Sequence, residues 1–481
     1  MMKAKTVANK TWAQLQVGES ASIERTCQER DLFLFAHVSG NINPLMLPRA
    51  EGKESVEGEE SPQAPVAPSM WVGSLISAVL GNILPGPGTL YLEQKFEFPH
   101  RVHVGDRLKV TVTCREKRAE PVAAFDTSIV NSRGEVVCKG LALVEAPIHT
   151  IETPTRELPA LIMEEREQFP HLITLAAQLP RLKTVVVCPE DHNSLGGPLL
   201  AHERGLIEPI FIGDPERIAA AAKELDADIS AFKLIEEKNH RAAAGRAVAM
   251  VRAGEAGAVM KGDLHSDDLL GAVVAKDGLR TGRRISHVFV LDTITLDDLL
   301  FVSDAAINIA PDLLTKMDIV QNAIDLALAC GVEPKVGVLS AVEVINPAIP
   351  STLDAAILSK MAERGQIRGG VVDGPLAMDN AIDMDAARTK GIVSLVAGHA
   401  NVLIAPNLES GNLLAKELTF VSHAEAAGLV VGASAPVMLT SRADNENARL
   451  VSCALAQLYA YWRKNGRAFT GAASEIALAA K

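Results

Sequence analysis

A chain of 481 residues is too long for one ordinary hydrophobic core, and its formal net charge of −12 excludes a general binder of nucleic acid or anionic membrane. Hydrophobic residues make up 48% and aromatics only 4%, so the cores are built from Ala, Val, Leu and Ile, as in parallel α/β layers. An anionic substrate would need a local basic site, because the global field repels it.

The six cysteines are Cys27, Cys114, Cys138, Cys188, Cys330 and Cys453. None forms a CxxC or a Cys/His cluster, so they read as reduced thiols of a cytoplasmic protein, and no metal is expected. Met-Met-Lys at the start leads into no apolar signal core, and no run of ~18 apolar residues suggests a membrane span.

In chain order, residues 11–145 form the first unit. Its apolar segment Ser69–Leu84 predicts a buried helix. Past the PGPG turn at Pro85–Gly88 come the alternating stretches YLEQKFEF, RLKVTVTC and AAFDTSIVNSRGEVVCKGLALVEA, predicted as antiparallel strands with a turn at Ser132-Arg133-Gly134. A helix followed by such strands describes an α+β domain. The acidic stretch Glu51–Glu60 is expected to be an exposed loop. Residues 146–180, rich in proline and charge, read as a linker and an introductory helix.

Residues 181–481 have a different texture. The runs TVVVC, PIFIG, AGAVM, KVGVLS, GGVVDG and NVLIAP alternate with Ala-rich helical segments, the pattern of a mostly parallel sheet in two lobes with a cleft. Polar residues follow several strands: Lys261-Gly262, Asp373-Gly374-Pro375, the stretch Pro406–Asn412, and Ser441-Arg442. Such residues also make plain turns. Ser441 with Asp444 reads as a capping box before a helix carrying Leu450, Ala454 and Leu458. The same geometry offers free N–H groups to an anion, and Arg442 adds a fork for phosphate. Neither a Walker A sequence nor a GxGxxG opening a helix is present.

The ordered motifs MKGDLHS, VDGPLAMDNA, APNLESGN and APVMLTSRAD resemble the phosphate acetyl/butyryltransferases from about Thr184 to Tyr461, with phrasing nearer the butyryl branch. The resemblance implies reversible conversion of acyl-CoA and phosphate into acyl phosphate and CoA in a cleft between two α/β lobes. No bound cofactor or metal is needed. It also implies catalytic roles for Ser441 and Arg442, which would stabilise charge developing on the oxyanion and phosphate. The acetyl branch places a thiol base seven residues after the serine, where this chain has Ala448; Asp444 and Glu446 are the alternatives. Lys261, Ser266, Asp373 and Asn412 are the candidates for positioning substrate.

The segments FAHVSGNINPLML and EFPHRVHVGDRL resemble the MaoC-like enoyl-CoA hydratases of the hot-dog fold, over about residues 12–145. That family pairs an Asp with a His five positions on, and they activate water as acid and base. Asn41 and Met46 occupy those positions here, and neither handles a proton usefully. His37, His100 and His103 are the nearby histidines. A hot-dog domain that keeps its fold without hydratase chemistry is therefore expected, ahead of an α/β acyltransferase domain. Retained hydratase activity, a non-catalytic CoA-binding scaffold and a dehydrogenase are the rival readings. A closed homo-oligomer is expected on the same resemblance.

Overall fold

The computed structural model describes residues 6–47, 65–154, 168–296, 298–440, 445–472 and 474. The chain divides into two compact units, residues 1–163 and 164–481. The acidic stretch Glu51–Glu60 lies outside the described residues.

The first unit carries β1 (Thr6–Ala8), β2 (Ser20–Thr26), β3 (Leu90–Glu97), β4 (Arg107–Lys117), β5 (Val122–Asn131), β6 (Val136–Glu145) and β7 (Glu152–Pro154). Five of these form an antiparallel sheet in the order β2-β4-β5-β6-β3. Alternation along β4 turns Leu108, Val110, Val112 and Cys114 inward. The helix Ser69–Asn82 buries Trp71, Val72, Ile76, Val79 and Leu80 in the same core. Burying four or five such side chains in one helix contributes on the order of 10 kcal/mol before chain entropy is counted. A helix enclosed by an antiparallel sheet is the hot-dog arrangement, as the sequence predicts. Gly140 permits the β3–β6 approach, because a Cβ there would lie 1.8 Å from the Lys95 carbonyl oxygen.

Strand β7 pairs with β1, Thr153 opposite Val7. The stretch after residue 145 therefore continues the first unit at least to Pro154 instead of serving wholly as a linker. Its prolines and charges obscured a three-residue strand whose partner lies some 140 residues away. The helix Gln168–Ala176 belongs to the second unit, with Phe169, Leu172 and Ala176 in its main core.

That unit contains one sheet of 11 strands. They are β8 (Leu182–Val187), β9 (Ile207–Gly213), β10 (Lys233–Glu236), β11 (Ala258–Lys261), β12 (Ser286–Asp292), β13 (Leu300–Ser303), β14 (Lys335–Leu339), β15 (Val371–Leu376), β16 (Val402–Ile404), β17 (Glu425–Val431) and β18 (Val437–Met438). Strands β10-β9-β8-β11-β18 form one parallel block, and β13-β16-β14-β15 another. Between them, β18-β17-β12-β13 are joined by antiparallel pairings, so the two blocks run in opposite directions. Chain length accounts for two of these three antiparallel pairings, β12–β13 and β17–β18. The connections 293–299 and 432–436 are too short for the crossover of about a dozen residues that a parallel pair requires.

Both faces of the sheet are covered. On β8, Val186 joins one core while Val185 and Val187 join another; on β13, Phe301 and its neighbours Leu300 and Val302 divide in the same way. The helix Glu446–Asn465 seats Leu450, Ala454 and Leu458 in the main core, with the expected helical period. Its cap differs from the sequence expectation. Asn445, rather than Ser441, is the N-cap, its Oδ1 accepting the Ala448 N–H at 2.9 Å. An asparagine beside the first helical residue is itself a strong cap, so the helix starts later than the Ser441/Asp444 box would place it.

Candidate active site

Strand direction brings the ends of β11 and β18 side by side. Lys261 ends β11 and is buried, and its ammonium donates to the carbonyl oxygens of Thr440 (3.3 Å) and Gly262 (3.4 Å). Arg449, only 1% exposed, donates through Nη1 to the Lys261 carbonyl (3.3 Å) and to Thr440 Oγ1 (2.6 Å). Two buried cations thus fix the residue that immediately precedes Ser441. Ser441, Arg442 and Asp444 themselves lie outside the described residues. Gly197 gives Arg449 its room, since a Cβ there would meet the arginine side chain at 2.7 Å.

On the other side of the same helix start is a cavity of about 290 Å³. Phe169, Phe289, Phe420 and Val451 supply apolar wall, and Asn412, Lys416, Glu425, Asn445 and Asn447 supply polar groups. Ala448, seven residues after Ser441, lines it too. Asn412 is held by donating its Nδ2 to the Ala305 carbonyl at 3.0 Å, while Asn407 caps its helix. A small, mostly apolar space beside a helix start strengthens electrostatic interactions with whatever charge enters it.

The other two candidates lie apart from this cavity's walls. Ser266 opens the helix Ser266–Val273 after the Lys261 loop and is half-buried. Asp373 is on β15, the edge strand of the opposite block, with its Oδ1 accepting the N–H of Gly374. Seven strand positions separate β15 from β11, so the sheet does not bring Asp373 to Lys261.

Three features escaped the sequence reading. Glu425 and Arg449 looked like ordinary helix or strand-end charges; for Arg449 the signal was a cation inside an apolar helical stripe. The third is a brace at the ends of β8, β9, β10 and β11. The fully buried Glu190 carboxylate pairs with Arg217, accepts the Asp214 N–H (3.0 Å) and meets His240 Nε2 (3.4 Å), while Arg217 also binds Asp263 (3.0 Å). Cys188 lies beside it, its thiol pushed up to about 12 by burial first and by the Glu190 charge next. Cys188, Glu190 and His240 offer ligand atoms within 4.8 Å of one another. The Glu190 charge is already matched by Arg217, which makes the cluster a cross-brace of four strand ends.

Buried at the base of β12, His287 donates its backbone N–H to Asp304 Oδ1 (3.3 Å) and packs edge-on against Phe289. Burial holds its imidazole neutral, well below the ordinary range, against the opposing pull of Asp304. The unfolded chain then binds more protons than the folded one below about pH 6.5, so stability falls as pH drops through that value. His287→Gln should flatten this dependence by about one kcal/mol per pH unit between pH 6.5 and 5, read as the difference in urea midpoints between the two proteins. Parallel pH profiles would show that the histidine does not contribute.

In the hot-dog unit, Asn41 and Met46 remain adjacent, Asn41 Nδ2 contacting Met46 Sδ at 3.4 Å. Asn41 Oδ1 accepts the Asn43 N–H (3.2 Å) in the same turn. His37 is exposed, and His100 is tied to the Val136 carbonyl at 2.9 Å.

A buried lysine at a parallel strand end, a buried arginine on the adjoining helix and a cavity walled by that helix's start are a ligand-site arrangement of an α/β protein. Residues 238–457 match the family model described as phosphate acetyl/butaryl transferase. Over 299 residues the chain is 54% identical to the phosphate acetyltransferase of Rhizobium meliloti, covering 62% of this chain and 95% of that one. It is 44% identical over 296 residues to the phosphate butyryltransferase of Clostridium acetobutylicum, covering 61% and 98%. The chain belongs to the phosphate acetyl/butyryltransferase family and is an acyltransferase. Its N-terminal part is similar to the unliganded R-hydratase PhaJ1 of Pseudomonas aeruginosa, at 36% identity over 33% of this chain and 99% of that one, with a TM-score of 0.30. Among the described residues, no helix is long and apolar enough to cross a membrane.

Proposed function

We propose that the second unit transfers a short acyl group reversibly between CoA and phosphate, using CoA thioester and phosphate as substrates and no bound cofactor. The observation that carries this reading is the cavity whose wall includes Asn412 and the helix start at Asn445–Ala448, directly after Ser441-Arg442. In the proposed step the Arg442 guanidinium and the Ser441 hydroxyl stabilise the oxyanion and the charge gathering on phosphate. The cations Lys261 and Arg449 hold Thr440, and so the approach to Ser441, without themselves lining the cavity.

The hot-dog unit contributes no hydration in this proposal. General acid–base catalysis is worth about 10²–10⁴-fold for a positioned group. An amide touching a thioether at Asn41 and Met46 offers neither acid nor base. The test is phosphate-dependent CoA release from acetyl-, propionyl- and butyryl-CoA, with crotonyl-CoA hydration followed in parallel. Turnover of one or more of the three esters is expected, with hydration at background. No phosphate-dependent release would refute the acyltransferase reading, and hydration lost on deleting residues 1–145 would refute the silent hydratase. A closed homo-oligomer, heavier in light scattering than the 51.1 kDa chain, is the proposed assembly.

A further inference from the structure

Acyl transfer to CoA requires a thiolate, and a free thiol of ordinary pKa near 8.5 is mostly protonated at neutral pH. The cavity must therefore hold a group that takes the proton. Among its described lining residues, Glu425 is the one carboxylate and Lys416 the one cation; Asn412, Thr419, Asn445 and Asn447 accept no proton near neutrality. Glu425 is the first residue of β17 and half-buried. It shares the cavity with Ala448, whose methyl group leaves space in the wall formed by the helix start. Across the β12–β17 pair it stands opposite Asp292, and Lys416 lines the same cavity. Asp292 is buried and accepts the Phe169 N–H at 3.3 Å. Of these two acids, Glu425 is the one that lines the cavity.

We infer that Glu425 is the general base for the CoA thiol, an assignment that rests on the acyl-transfer reading. In the direction of acyl-CoA synthesis, the thiol proton passes to a Glu425 oxygen as sulfur bonds to the acyl carbon. The bond from that carbon to the phosphate oxygen then breaks, and phosphate leaves with the electron pair. Glu425 returns its proton to solvent. In the reverse direction protonated Glu425 gives its proton to the departing CoA thiolate.

The test uses the full chain with acetyl phosphate and CoA, from about pH 6 to pH 9. Glu425→Gln, nearly isosteric, should lower kcat/KM about a hundredfold at pH 7. CoA affinity by calorimetry and the melting temperature should stay close to those of the unaltered protein. The variant's rate should climb about tenfold per pH unit as free thiolate accumulates, closing the gap toward high pH. Glu425→Asp should recover part of the loss. A variant within threefold of the unaltered protein at pH 7 would overturn the assignment, and so would a deficit that stays constant with pH. An unaltered protein inactive with acetyl-, propionyl- and butyryl-phosphate alike would overturn the acyl-transfer reading itself, a result visible before any variant is made.

Discussion

Replacing Arg449 by methionine is expected to destabilise the second unit by about 3 kcal/mol and to lower kcat/KM at least tenfold. The guanidinium is 1% exposed and reaches the Lys261 carbonyl and Thr440 Oγ1. Hydrogen bonds from a charged donor contribute about 1.5–3 kcal/mol, and their loss leaves two buried acceptors facing a thioether. Asp191, whose carboxyl is held low against burial by hydrogen bonds from Ser194 and then by this cation, would lose the latter support as well. The activity loss follows from position, because Thr440 leads directly into Ser441 and its orientation depends on the arginine fork. Arg449→Lys separates charge from reach, since the lysine ammonium must sit where Nη1 does to serve both acceptors. Urea midpoints and kcat/KM measured together decide the matter: a methionine variant with an unchanged midpoint would show that the bonds contribute nothing net.

Arg442→Ala should behave in the opposite way. Loss of a donor aimed at developing charge typically lowers kcat/KM about a hundredfold, or ~2.7 kcal/mol of transition-state stabilisation. Its unfolding free energy should stay within about 0.5 kcal/mol of that of the unaltered protein. The two arginines, seven residues apart, thereby distinguish a group that acts on substrate from one that holds the frame. Near-normal turnover by the Arg442 variant would remove the catalytic assignment.

By itself the sequence determined the elements whose environment is written into their own residues. Strands such as β8, β9 and β14 are buried on both faces and so read as aliphatic runs. The helix Ser69–Asn82 showed in its length and apolar content, and the strands that enclose it showed in their period-two alternation. Asn41 and Met46 were legible as a pair without proton chemistry because both lie in one turn, where spacing alone brings them together. The ordered strand-end motifs pointed to the acyltransferase family before any contact between them was known.

Tertiary structure decided what depends on residues distant in the chain. The opposite sense of the two parallel blocks depends on the antiparallel β12–β17 pairing, between strands far apart in the chain, which no single segment encodes. Strand β7 exists only because β1 lies beside it. Glu190, Arg217, His240 and Asp263 became a network only once four strand ends converged. Asn445 displaced the expected cap because the helix begins where its packing against the core begins. The setting of Glu425 and Arg449 came from the fold in the same way. A charge on a strand end or helix face has no fixed role until packing determines whether it meets water, a cavity or the backbone of another strand.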